Sequence, residues 1–290
     1  MQRVIRTTGH RQLRTEEAGD PNGKPILVLH GTPGAGMFYG PHVADALEKG
    51  IRLITYDRPG YGGSTARPGR SISDCAEDIR AIAEAMRIDR LAAWGMSGGG
   101  PHALACAALL PDLVVAVGSL ASMAPYGAEG LDFFAGMGQA NIDGIRLSLD
   151  DEAAARAKLG PDREAMLELT ADQLVHAMAS LMSEADAVAH TPAMAEFIVR
   201  GIHAGLAPGG EGWWDDSMAE LRPWGFDVRT ISVPVQLWHG REDRFHPFQH
   251  GEWLADRIPG VDAHLTSDDG HGSLLQRHIP ELHDWLVKHF

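Results

Sequence analysis

Cysteine is nearly absent: Cys75 and Cys106 are the only two in 290 residues, 31 positions apart. Two thiols so spaced provide neither a disulfide framework nor a zinc site, so both are expected to be small buried hydrophobes in a reducing compartment. Basic side chains are also in deficit, with 25 Lys and Arg against 39 Asp and Glu and a net charge of −14. That balance argues against a phosphate-binding face, and therefore against nucleic acid and anionic membrane surfaces as partners. Long apolar runs are missing too. The segment from Leu113 to Pro125 is interrupted by Gly118, Ser119 and Ser122, and is far too short to span a bilayer. The opening MQRVIRTTGHRQLR has no apolar leader core, so a cytoplasmic location is expected. No heptad, collagen period or low-complexity tract occurs.

What is present fits a globular chain. Apolar residues at 44% and charged residues at 22% can bury a full core. The length suits one large domain with an insertion, or two ordinary domains. After an expected hairpin from Val4 to about Ala18, short and almost wholly apolar runs recur. They fall at Pro25–His30, Arg52–Asp57, Leu91–Met96, Leu113–Leu120 and Val233–His239. Strands without a polar face are buried on both sides, as in a parallel sheet covered by helices. Between them lie helical patterns. One starts near Ser73, an N-cap composition, with Cys75, Ile79, Ile82 and Met86 on one face; another runs from about Gly99 to Leu110. The expected class is α/β, with a mostly parallel central sheet flanked by helices.

One interval departs from this rhythm. From Pro125 to about Phe226 the patterns are helical (Asp151–Lys158, Asp162–Leu169, Asp172–Met182, Pro192–Gly201), and Pro223-Trp-Gly-Phe reads as a return hinge. Residues 125–226 are therefore expected to form an inserted cap on a core of residues 1–124 and 227–290. A terminal amphipathic helix is expected from Leu274 to Phe290.

The strongest chemical signal is Trp94-Gly95-Met96-Ser97-Gly98-Gly99-Gly100, between an apolar strand and a helix. This is G-x-S-x-G in the strand–turn–helix setting that raises a serine hydroxyl above the sheet edge. Glycines at 95 and 99 keep the turn clear of its neighbours, and the helix N-terminus favours developing negative charge. A serine needs a base, and His271 in Asp268-Asp-Gly-His-Gly-Ser is the candidate. The acid is expected at Asp243 in Gly240-Arg-Glu-Asp243, with Glu242, Asp268 and Asp269 as rivals. Each of the three lies just past a strand's carboxyl end, where open α/β sheets build their sites. Backbone donors for an oxyanion are expected at Gly98 and in the loop His30–Gly36. There Pro33 has no N–H, Gly31, Thr32 and Gly34 remain, and Thr32 is the choice.

Five motifs in order, HGTPG at 30–34, DRPGYGGS at 57–64, GMSGG at 95–99, GRED at 240–243 and GHGS at 270–273, make the chain resemble the α/β-hydrolase superfamily outside the helical interval. The resemblance implies a catalytic Ser97, Asp243 and His271, with Thr32 as first oxyanion donor and DRPGYGGS as a supporting loop. Relatives that dehalogenate or open epoxides carry aspartate at the elbow, so Ser97 disfavours those reactions. Esterase, thioesterase, lactonase, peptidase and C–C bond hydrolase readings stay open. HGTPG with a helical cap is also similar to proline iminopeptidases, which usually have tryptophan after the serine; Gly98 departs from that.

Other patterns carry less. Gly34-x-Gly36 resembles the start of a dinucleotide fingerprint, but Tyr39 stands at the third glycine position. His246 and His250 are four apart with Pro247 between them, and no H-E-x-x-H occurs, so no metal is expected. Residues 125–226 hold 17 acidic and 6 basic side chains, and residues 123–226 hold seven of the eleven methionines. The plain account is a solvated acidic face over a methionine-rich core. The functional one is an adaptable acyl pocket with an acidic rim, with Met37, Met96, Trp213 and Trp214 as candidate lining. The expected activity is cofactor-free serine hydrolysis through an acyl-enzyme, most simply of a carboxylic ester. The substrate would be small, largely apolar, and neutral or cationic. Amide or C–C cleavage by the same triad is the alternative, and a non-catalytic small-molecule receptor is the alternative of another class.

Overall fold

The computed structural model describes residues 1–290 apart from Thr8 and Ala179. The parts of the expected opening hairpin and of the expected 172–182 helix at those two positions lie outside the described residues. Strands β1 (Gln2–Arg6) and β2 (Gln12–Gly19) pair antiparallel, and β2 then pairs antiparallel with β4. The chain continues through β3 (Lys24–Leu29), α1 (Gly40–Glu48), β4 (Ile51–Tyr56), α2 (Cys75–Met86), β5 (Leu91–Met96), α3 (Gly99–Leu109) and β6 (Val114–Leu120). Among the described residues there follow α4 (Gln139–Asp150), α5 (Glu152–Glu168), α6 (Ala171–Ala177), α7 (Glu184–Ala189), α8 (Pro192–Leu206) and α9 (Glu211–Leu221). The sheet resumes with β7 (Val235–Gly240), α10 (Phe248–Arg257) and β8 (Asp262–Thr266), before α11 (Ser273–Arg277) and α12 (Ile279–Val287). The eight strands lie in the order β1-β2-β4-β3-β5-β6-β7-β8, and every pairing from β4–β3 onward is parallel.

The apolar runs are continuous because alternate residues feed two cores. Leu27 and Leu29 of β3 and Leu91 and Ala93 of β5 pack with α2 and α3, through Ile79, Ile82 and Leu104. Ile26, Val28, Ala92 and Trp94 face the other way, against Ala46 of α1 and Leu282 and Leu286 of α12. Period-two geometry sends neighbouring side chains to opposite faces, so a sheet covered on both sides needs apolar residues throughout.

Three local expectations are corrected. Ser71, not Ser73, caps the α2 region: it forms a reciprocal capping box with Asp74 over a 3-10 turn at Ile72–Asp74. The amide of Ser73 instead donates to the Trp224 carbonyl at 2.9 Å, fixing the return segment to the core. The helices expected at 151–158 and 162–169 are one, α5, with Pro161 inside it. A proline costs one ladder hydrogen bond there, but Arg163 holds the second half by donating to the Leu206 and Ala207 carbonyls at 2.8 and 2.9 Å. The terminal helix is two, because Pro280 occupies the first turn of α12, a position that starts a helix better than it continues one.

Cys75 and Cys106 are buried free thiols. Among the described residues no helix is long and apolar enough to cross a membrane.

Candidate active site

Ser97 sits between β5 and α3 with φ of 55°, a left-handed conformation that is strained for a residue with a side chain. The strain is held by hydrogen bonds on both sides: Ser97 N–H donates to the Leu120 carbonyl at 3.0 Å, and Gly100 N–H to the Ser97 carbonyl at 2.8 Å. A Cβ on Gly95 would strike the Gly99 carbonyl, and one on Gly99 would strike the Leu29 carbonyl, so this turn accepts only glycine at both places.

His271 follows β8, in the loop before α11. Its Nδ1 lies 2.8 Å from Asp243 Oδ2. The other carboxylate oxygen of Asp243 accepts from the amides of Phe245 and His246 at 2.8 and 2.9 Å, which orients the group. Of the rivals, Glu242 and Asp268 are exposed, and Asp269 is engaged by His278 Nε2 at 2.8 Å. The Phe245 ring stacks on the imidazole with centroids 4.5 Å apart. Burial opposes a charged imidazole, but the charge and hydrogen bond of Asp243 outweigh it, and His271 is raised above the ordinary histidine value. Asp243 shows the reverse balance: burial favours the acid, the His271 interaction favours the anion, and the anion wins. Neighbouring His246 is pushed down to about 3 by burial and by His271, so it is neutral. Ser97 and His271 line the same cavity, of about 930 Å³, with no hydrogen bond between them. Catalytic contacts commonly close only once substrate is bound.

Thr32 and Gly98 also line that cavity. Neither of their amides donates a hydrogen bond among the described residues. Met37, Met96, Trp213 and Trp214 all lie on its wall, together with Met166, Met178 and Met194 of the helical interval.

The supporting groups come from the DRPGYGGS loop and from residues with no motif around them. Arg58, in DRPGYGGS, donates to the His30 and Gly31 carbonyls and to Thr32 Oγ1, shaping the loop after β3. It also forms a two-pronged ion pair with Asp216 of α9, its Nη2 2.6 Å from Oδ2 and its Nε 3.0 Å away. Arg70 Nη2 reaches Asp216 Oδ1 at 2.6 Å. Burial disfavours the Asp216 anion, but Arg58 and Arg70 hold it well below the usual carboxylate range. Asp57, next door, accepts from the amides of Gly36 and Gly63 at 2.8 and 2.9 Å and is not part of the cavity wall. From α7, Asp186 accepts the amides of His271 and Ser273, both at 3.0 Å, and so holds the histidine loop. The acidic bias of residues 125–226 is therefore not purely a solvated face: Asp186, Asp215, Asp216 and Glu220 are buried.

The family model for the alpha/beta hydrolase fold matches residues 24–277, and the chain belongs to that family. It is 27% identical over 284 residues to the AB hydrolase superfamily protein YisY of Bacillus subtilis (strain 168), covering 95% of this chain and 94% of that one. It is 28% identical over 266 residues to a 2-hydroxy-6-oxo-6-phenylhexa-2,4-dienoate hydrolase of Comamonas testosteroni, covering 89% and 84%. A thermophilic esterase from Thermogutta terrifontis matches over the whole of both chains with a TM-score of 0.71 at 23% identity, a likeness of fold.

Proposed function

We propose that the protein is a serine hydrolase that cleaves an acyl bond, most simply a carboxylic ester, through an acyl-enzyme. In this reading Ser97 Oγ attacks the acyl carbonyl while His271 Nε2 takes its proton. Asp243 fixes the imidazole tautomer and stabilises its charged form. The amides of Gly98 and Thr32 stabilise the tetrahedral oxyanion, each contributing on the order of 3 kcal/mol in comparable sites. His271 then returns the proton to the leaving alcohol and activates the water that releases the acid. Residues 125–226 act as the cap that closes the acyl pocket.

The observation that carries this reading is the 2.8 Å bond from His271 to Asp243 at the wall of the cavity that also holds Ser97 in its left-handed turn. The methionine-rich lining supports a small and largely apolar acyl group. The likeness to a relative named as a dienoate hydrolase keeps C–C cleavage by the same residues as the second reading. Hydrolysis of p-nitrophenyl acetate, α-aminoacyl anilides and vinylogous diketones by wild type and Ser97→Ala separates the cases. Preferential ester turnover that vanishes in the variant supports the proposal, and ester turnover that survives it removes Ser97 from the mechanism.

A further inference from the structure

Gly98, directly after the proposed nucleophile, has no side chain, and its neighbours use the space. A Cβ there would strike Thr32 Oγ1 and lie 2.6 Å from Glu220 Oε1. A carboxyl group from α9 thus takes the volume that a side chain at position 98 would fill, beside an amide assigned to the oxyanion. Glu220 is 9% exposed and shares the cavity wall with Thr32, Ser97, Gly98 and His271. Its Oε1 is buried with no hydrogen-bond partner among the described residues. A buried polar atom without a partner is costly in the empty protein, and a ligand that completes it recovers that cost.

We propose that Glu220 is a substrate-contacting acid whose carboxyl O–H donates a hydrogen bond to the acyl oxygen in the oxyanion pocket, a third donor beside the Gly98 and Thr32 amides. The proposal rests on Ser97 being the nucleophile. A carboxyl can donate only while protonated, and the surroundings keep it so. Burial first, and then the negative charge of Asp216 one helical turn earlier, push Glu220 up to about 8. Arg58 and Arg70, both engaged with Asp216, pull the other way without outweighing burial and the Asp216 charge. On the same helix, burial raises Asp215. Facing from α3, His102 is pushed down to about 3 by burial and by Arg58, and from the loop after β3 burial and Arg58 lower His30 well below the usual range, so both are neutral. The Thr32 hydroxyl also favours the anion, and burial with Asp216 outweighs it. The proton stays on Glu220 throughout. When the group ionises, a carboxylate faces the developing oxyanion and opposes it.

The test is the pH dependence of p-nitrophenyl acetate hydrolysis by the full-length protein, from about pH 6 to 10, for wild type, Glu220→Gln and Glu220→Leu, with fluorophosphonate labelling of Ser97 run alongside. Wild-type kcat/KM is expected to fall above about pH 8. In Glu220→Gln the carboxamide still donates but does not titrate, so the alkaline fall disappears while activity at pH 7 drops only a few-fold. Glu220→Leu should lose about 10- to 100-fold at pH 7. An alkaline fall that persists in Glu220→Gln overturns the proposal, as does a glutamine variant no better than leucine. A wild-type preference for α-aminoacyl esters that Glu220→Gln abolishes also overturns it, since the group would then act as an ionised amine receptor. Wild type that neither turns over nor labels ends both this proposal and the serine-hydrolase reading. Turnover and labelling with unaltered glutamine kinetics end this one alone.

Discussion

Replacing Asp216 by asparagine removes one charge from a cluster that has almost no solvent. Arg58, Arg70 and Asp216 have side-chain exposures of 1%, 3% and 0%. With about 4 Å between charge centres and an effective dielectric of about 20, each arginine–aspartate attraction is worth about 4 kcal/mol before desolvation. Breaking a buried pair by removing one partner typically costs about 3–5 kcal/mol, because the remaining charge stays buried. Asp215, 3.7 Å from Arg70, supplies only partial compensation. Asparagine keeps the volume and one acceptor, so the lower end, about 3 kcal/mol, is expected, or roughly 6–10 °C in Tm for a chain of this size. The pH sign is also fixed. Asp216 in the fold lies below its unfolded value, so its contribution is complete above the ordinary carboxylate range and is lost as the pH falls below it. Asp216→Asn should therefore lower Tm at pH 7 and narrow its gap to wild type on acidification. Scanning calorimetry at pH 7 and at about pH 3 measures both, with the exposed Arg229–Asp227 pair as control, where Arg229→Ala should change nothing measurable. A Tm for Asp216→Asn within about 1 °C of wild type at pH 7 would refute the cluster as a clamp between α9 and the loops after β3 and β4.

Other consequences concern the histidine. Asp243→Asn should leave the fold intact and reduce kcat about 10³- to 10⁴-fold, since an amide favours the wrong imidazole tautomer; steady-state kinetics on an ester decides. Because Asp243 raises His271, ester turnover in the wild type should be lost as pH falls through a midpoint above the ordinary histidine value. A midpoint at or below that value counts against the pairing. Asp186→Ala leaves the His271 and Ser273 amides without their acceptor, for a loss of about 1–3 kcal/mol by thermal unfolding, together with a fall in kcat larger than any change in KM.

The strands were legible because burial on both faces removes every polar residue from runs such as Ile26–Leu29, a pattern visible without partners. The residues at 97, 243 and 271 were legible as candidates because each follows a strand end and carries its own glycine-rich turn. Helix limits were less so. Pro161 inside α5 is tolerated because of Arg163 contacts to α8, which no local pattern encodes. Asp186, Asp216 and Glu220 were invisible for the same reason. In sequence they are three acids among 17 in an acidic interval, and only packing against Arg58, Arg70, Gly98 and the His271 loop distinguishes them. Gly98, noticed as a departure from the iminopeptidase pattern, was the one local hint that another side chain needed its space.

The mechanism turns on whether Ser97 is a nucleophile activated by His271. Intact-protein and peptide mass spectrometry after fluorophosphonate treatment answers it. One adduct per chain on the Ser97 peptide, lost in His271→Ala as in Ser97→Ala, is the expected result. An unmodified Ser97 in a protein that still hydrolyses esters, or equal modification without His271, contradicts it.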